Sequence, residues 1–94
     1  MRWKLFATFA ETAGENELTF DLEGEQPTVR DALDALLAAQ PALEDELLDE
    51  SGALYDHVGL LHEGTNPFQN GEGWDTPVGP DDELALFPPV SGGR

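Results

Sequence analysis

"ELALFPPVSGGR", Glu83 to Arg94, begins as a strand and ends as something else. Leu84 and Leu86 alternate with Ala85 and Phe87, so "ELALF" reads as a β-strand with apolar groups on both faces. Pro88 and Pro89 have no backbone N–H to donate, so the strand stops there. They also hold the chain extended and direct it away from the body. From Pro88 to Gly93 the chain spans up to ~20 Å at full extension. Gly92 and Gly93 carry no side chains. Such an end can enter a narrow tunnel and present a carboxylate that nothing bulkier could deliver. Ordering it costs ~1–2 kcal/mol per residue. The two prolines reduce that cost, and Val90 adds an apolar anchor beside them. Diglycine alone is an ordinary frayed terminus. The strand before it gives it meaning.

A strand apolar on both faces needs neighbours and a cover. Residues Arg2 to Phe9 read as a first strand, with Trp3, Leu5 and Ala7 alternating against Lys4, Phe6 and Thr8. The short "AGENE" then suits a hairpin into "ELTFDLE", where Leu18, Phe20 and Leu22 share one face. Thr28 is an N-cap with Asp31 in the first turn. Val29, Leu33, Leu36 and Leu37 follow at helical spacing. Pro41 ends that helix or opens a short second one carrying Leu43 and Leu47. "HVGLLHEG" reads as a third strand, and Thr65 to Asp82 as loop with a short edge strand. Strand, strand, helix, strands is an α+β roll: a mixed sheet of four to five strands packed on one main helix. The first and last strands, being the most apolar, belong side by side in the middle, in parallel, joined by a right-handed crossover. The predicted domain is 1–87, with 88–94 as a flexible tail.

One helix covers one face. If Trp3, Leu5, Leu60, Leu84 and Leu86 face it, Phe6, Leu61 and Phe87 point out of the other side. Three large apolar groups on adjacent strands make an exposed docking patch. The competing reading has the long loop fold back so that Phe68 or Trp74 covers them. Trp74 could also be a partner anchor, but a loop tryptophan folded onto its own core is the favoured expectation.

The chain has 94 residues, no Cys, and 20 acidic against 4 basic side chains, for a net charge of −16. Disulfides, thiolate metal sites and a cysteine nucleophile are excluded, which fits a cytoplasmic protein. Nucleic acid is a poor partner, because phosphate binding needs Lys and Arg. No apolar run approaches membrane-spanning length. The acids are spread along the whole chain, which favours solvation in a salty cytoplasm over steering onto a basic partner. At about 1 M salt the Debye length is ~3 Å, so such a surface tolerates its own repulsion. His57 and His62 fall on opposite faces of a strand and cannot share a metal. No phosphate-binding Gly loop occurs, since "NGEGW" lacks the Lys and the strand-to-helix setting. Lys4 is the only lysine, so copies could be joined to this chain only there or at the N-terminal amine.

"WKLFATFAETAG", "TVRDALDALLAAQPALEDELL" and "DELALFPPVSGG" together resemble the ubiquitin-like β-grasp proteins of the MoaD/ThiS class, and most closely the small archaeal modifier proteins. The resemblance implies a β-grasp roll and a protein that catalyses nothing alone. It implies that Gly93 is the reacting residue, its carboxylate adenylated with ATP by a ubiquitin-activating-type (MoaB/ThiF/MoeB-like) enzyme, with no cofactor bound to this chain. Val90, Ser91 and Gly92 would enter that enzyme's active site. Phe6, Leu61, Phe87, Pro88 and Pro89 would dock the partner. The acyl adenylate can pass to a lysine of a target protein as an isopeptide. It can instead receive sulfur, the thiocarboxylate then serving molybdopterin synthase, with this chain as the small subunit beside a large one. Lys4 would be the lysine for self-conjugation. Arg94 follows the diglycine, so Gly93 and Arg94 form a processing site: either a desampylase-type metalloprotease trims Arg94, or it is a remnant absent from the mature chain. Relatives often carry Asn where this chain has Gly59 and Glu63. A third reading, from another class, is a plain interaction domain whose tail never reacts.

Overall fold

The two most apolar strands lie side by side at the middle of one sheet. A computed structural model describes residues 1–88. The strands are β1 (Arg2–Leu5), β2 (Glu17–Thr19), β3 (Gly59–His62) and β4 (Glu83–Phe87), in the order β2-β1-β4-β3. β1 and β4 run parallel, with Trp3 opposite Leu84 and Leu5 opposite Leu86. β2 and β3 pair antiparallel on either side. The helices are α1 (Thr8–Ala13), α2 (Val29–Ala39), α3 (Glu44–Leu47) and α4 (Pro67–Asn70), with 3-10 turns at Pro41–Leu43 and Gly73–Asp75. No helix among the described residues is long and apolar enough to cross a membrane.

α2 forms where its cap and stripe agree. The Thr28 hydroxyl accepts from the Asp31 N–H, and the Thr28 N–H donates to the Asp31 carboxylate at 2.9 Å. This reciprocal box satisfies two donors that a helix start otherwise leaves open. Val29, Ala32, Leu33 and Leu36 recur at helical spacing and are all buried against the sheet. Trp3, Leu5, Leu60, Leu84 and Leu86 meet them from the inner face, each at most 2% exposed. The Trp3 indole N–H donates to the Ala32 carbonyl at 2.9 Å, which ties the central strand to α2 without leaving a buried donor unpaired. Leu43 and Leu47 close one end of this core, as the short second helix predicts.

Three expectations need correction. The first strand ends at Leu5, not Phe9, and α1 takes up the end of that predicted strand and the residues leading into "AGENE". Phe9 is buried, with Ala10 and Ala13 packed beside it, so the segment gains more from a helical apolar face than from extending an exposed strand. Gly14, in the left-handed region at φ 79°, caps α1 by donating to Ala10 O. β2 is likewise shorter than its apolar alternation, although Phe20 and Leu22 still pack on the core. Finally, the segment from Thr65 to Asp82 holds no strand. It holds α4 and a 3-10 turn, with isolated bridges from Thr65 to His62 and from Pro77 to Thr28.

The turn into α1 is strained. Phe9 N–H donates to Phe6 O, and Ala7 between them sits at φ 52°, ψ −125°, the first corner of a II′-like turn where glycine is preferred. A non-glycine residue held there costs on the order of 1–3 kcal/mol. Ala7→Gly is expected to raise stability by about 0.5–1 kcal/mol, once the entropy that glycine loses is set against the relieved strain. Urea unfolding at fixed high salt measures this; a loss of stability would show that the turn is unstrained.

Candidate functional site

Alternation along β1 and β4 sends every second residue out of the uncovered sheet face. Phe6, directly after β1, is 47% exposed. Leu61 and Phe87 are half-buried beside it. The Phe6 and Phe87 rings meet edge to face, centroids 6.2 Å apart. With Lys4, Gly64, Glu83 and Ala85 they line a hollow of about 460 Å³. The three residues expected to point out of this face therefore line one hollow, and neither Phe68 nor Trp74 lines it. Trp74 packs on the core side, in edge contact with Phe68, and Arg30 of α2 lies 4.6 Å above its ring. Pro88 is half-buried at the mouth of the tail. Pro89, Val90, Ser91, Gly92, Gly93 and Arg94 lie outside the described residues.

Gly59 and Glu63 flank the hollow, one through Phe87 and one through the turn that leads into Gly64. Gly59 stands opposite Phe87 in the β3–β4 register. A Cβ at Gly59 would overlap Cε2, Cδ2 and Cζ of the Phe87 ring. The missing side chain is what lets Phe87 lie across β3. Glu63 adopts φ 52° and Gly64 φ 80°, while His62 and Thr65 exchange backbone hydrogen bonds across them. Consecutive left-handed residues make a I′-like corner, where Asn-Gly is the favoured pair. Glu63 is held there by its own contacts: its N–H donates to Glu83 O at 3.0 Å, and its carboxylate accepts from Glu83 N at 2.6 Å.

The charge on this face differs from the rest of the molecule. Arg2 Nη2 contacts Glu83 Oε1 at 2.9 Å, Arg2 Nε reaches Glu17 at 3.6 Å, and Lys4 Nζ lies 3.8 Å from the same Glu83 oxygen. Two of the chain's four cations thus border the apolar patch. Arg2, Glu83, Ala85 and Gly59 were missed as site residues. Strand parity alone would have placed Ala85 and Glu83 on the face of Phe87.

The histidines do not meet. His57 stacks on Tyr55, while His62 Nε2 contacts Asp82 Oδ2 at 2.7 Å. No cluster suited to a metal occurs among the described residues. Asp82 Oδ2 also accepts from the Gly79 N–H at 2.8 Å. That backbone bond first, and His62 second, hold the Asp82 carboxyl below the usual carboxylate range.

The ThiS family matches residues 3–93. The chain belongs to the ThiS family. This ThiS-family chain is 50% identical to small archaeal modifier protein 1 of Haloferax volcanii over 97 aligned residues, spanning 99% of this chain and 100% of that protein. The crystal structure of SAMP1 from Haloferax volcanii superposes with a TM-score of 0.87 at 47% identity, covering 99% of this chain and 98% of that one. The putative molybdopterin converting factor subunit 1 of Pyrococcus furiosus superposes with a TM-score of 0.71 at 26% identity, with 95% of each chain covered. The α+β roll is thus the ubiquitin-like β-grasp, and the ThiS-family chain is a homologue of a ubiquitin-like modifier.

Two predictions arise here. Gly59→Ala is expected to expel the Phe87 ring and reshape the hollow, shifting the ring resonances of both Phe6 and Phe87 in NMR spectra. In the background of Phe87→Ala the same change is expected to be nearly neutral; equal costs in both backgrounds would separate Gly59 from Phe87. The second concerns pH. The folded carboxyl of Asp82 is depressed, so its contribution to stability is present above the unfolded value of about 3.9 and is lost as pH falls through the lower folded value. The stability gap between the native chain and Asp82→Asn is expected to be widest near neutral pH and to close below about pH 4. Urea unfolding from pH 7 to 2.5 at constant salt reads this gap; a gap independent of pH would remove Asp82 from the acid response.

Proposed function

We propose that this chain is a ubiquitin-like protein modifier. Its Gly93 carboxylate is adenylated by a ubiquitin-activating-type enzyme with ATP and then joined to lysines of target proteins. The chain itself is the carried group, not a catalyst. The observation that carries this reading is full-length 50% identity to small archaeal modifier protein 1. It is supported by the apolar hollow at the very end of β4, where the strand gives way to the tail.

The chemistry follows from the terminus. A carboxylate is a poor electrophile until one oxygen becomes a leaving group, and adenylation supplies that group. Activation on this reading needs a chain ending at Gly93, whether a metalloprotease trims Arg94 or the mature chain lacks it. The tail runs from Pro88, beyond a domain of residues 1–87, and Val90, Ser91 and Gly92 lead Gly93 into the enzyme. Phe6, Leu61, Phe87, Pro88 and Pro89 form the surface that the enzyme reads. The working compartment is the cytoplasm, in line with a chain without cysteine.

A second reading is favoured by the likeness to the Pyrococcus furiosus molybdopterin converting factor subunit. Here the acyl adenylate receives sulfur, and the thiocarboxylate supplies a molybdopterin synthase as its small subunit. Both readings share activation and differ only in what finally sits on Gly93. Intact mass of the protein and its adducts from native cells separates them: a sulfur in place of one oxygen, or a linked target lysine. Trypsin is omitted, because it would cut after Arg2, Lys4 and Arg30 and destroy the intact mass. Deleting Gly92 and Gly93 is expected to abolish ATP–pyrophosphate exchange with the activating enzyme while leaving the urea midpoint unchanged. A species still ending in Arg94, with no adducts, would put the unreactive interaction domain first.

A further inference from the structure

The chain offers two amines for acylation, the Lys4 side chain and the Met1 nitrogen, and the fold treats them differently. The Met1 nitrogen donates to Phe20 O at 2.8 Å and to Pro80 O at 2.9 Å, and the Met1 side chain is 6% exposed within the core. For that nitrogen to attack an acyl carbon, it must leave both carbonyls and draw Met1 out of the core. Lys4 projects from β1 on the uncovered sheet face, with its side chain 40% exposed. Its only ion pair among the described residues is a long one, 3.8 Å to Glu83, whose oxygen is held more tightly by Arg2. Lys4 also lines the hollow that Phe6, Leu61 and Phe87 form.

We propose that Lys4 is the acceptor amine of this protein and that acylating it closes the docking hollow. The donor is a second copy of the chain, activated at its own Gly93, so this step rests on the function proposed above. The Lys4 ammonium gives a proton to water. Its nitrogen lone pair attacks the glycyl carbonyl carbon, the acyl C–O bond to AMP breaks with its electron pair leaving on AMP, the nitrogen gives a second proton to water, and an amide remains. Nothing is oxidised or reduced. The product differs from the free chain in two ways that act on one surface. A peptide chain now leaves from the wall of the hollow, and one of its two bordering cations is gone. The acceptor copy keeps a free Gly93 but presents a covered and more acidic face to its activating enzyme. Acylation at Lys4 is therefore a cap that stops the modified copy from being activated again.

The test uses the chain ending at Gly93 with its activating enzyme and ATP. The expected product is a two-copy species joined from Gly93 to Lys4, as fragmentation mass spectrometry of the intact species shows. K4R, which keeps the charge, is expected to form none. The purified two-copy species has one free Gly93, on the acceptor, and is expected to support ATP–pyrophosphate exchange at least tenfold more slowly than the free chain. Linkage at Met1, absence of a two-copy product while the free chain exchanges, or equal exchange by both species would overturn the proposal. If the free chain shows no exchange, the activation reading fails instead. A chemically made thioester at Gly93 then supplies the electrophile without the enzyme: joining at Lys4 supports the acceptor site, and joining at Met1 overturns it.

Discussion

A sheet with a single helical cover has one dry face, and the rest of this molecule is arranged around that limit. Trp3 sets the contact. It is fully buried in the middle of the sheet and reaches up to the Ala32 carbonyl, so β1 and α2 are fastened by packing and by one buried hydrogen bond. A buried indole left without an acceptor would be costly, by roughly 1–3 kcal/mol. Helix α2 is thereby held in rotation as well as in height. Its stripe of Val29, Ala32, Leu33 and Leu36 then consumes the inner-facing residues of all the central strands. No second layer exists among the described residues to serve Phe6, Leu61 and Phe87 on the other side. Trp74 and Phe68, the aromatic groups with loop enough to reach, are engaged around Arg30 instead.

Electrostatics sharpens the difference between the faces. Most of the surface is acidic, and water and counterions solvate it. On the uncovered face Arg2 and Lys4 share Glu83, and Arg2 also meets Glu17. Such exposed pairs add little stability, on the order of 0–1 kcal/mol each. Their effect lies in local charge. They bring the border of the apolar hollow nearer to neutrality than the bulk of the chain, so a partner can approach it with less charge to desolvate.

The large features were legible because each rests on a strong local signal. The Thr28–Asp31 pair marks a helix start, the apolar stripe marks its face, and "ELALF" before two prolines marks a strand with a definite end. The parallel central pair followed from which strands were most apolar. What was misread lies where two periods compete. Trp3, Leu5 and Ala7 carry the strand period onward, yet Phe9, Ala10 and Ala13 carry a helical one. Gly14 was the signal that could have decided between them, since it stands where a helix needs a left-handed cap. The outer patch was legible from alternation. Its shape was not, because Gly59 matters only through Phe87, its partner across the β3–β4 ladder.

That pairing also explains why the site sits where it does. β4 is the one strand hydrogen-bonded on both sides by the two apolar strands β1 and β3, and it is the strand from which the tail departs. The point of departure is therefore as fixed as any in the molecule, and Phe87 at that point is clamped between Phe6 and the space left by Gly59. Diglycine by itself carries almost no information, since it offers a partner only backbone. On the proposed function, the apolar hollow at the end of β4 supplies the missing specificity. A partner that grips the hollow has the tail at high effective concentration and meets a glycine end whose reach is set by six residues from Pro88. On the proposed function, recognition and reaction are divided along one strand's continuation, with the selective contacts on the folded side and the reacting carboxylate at Gly93.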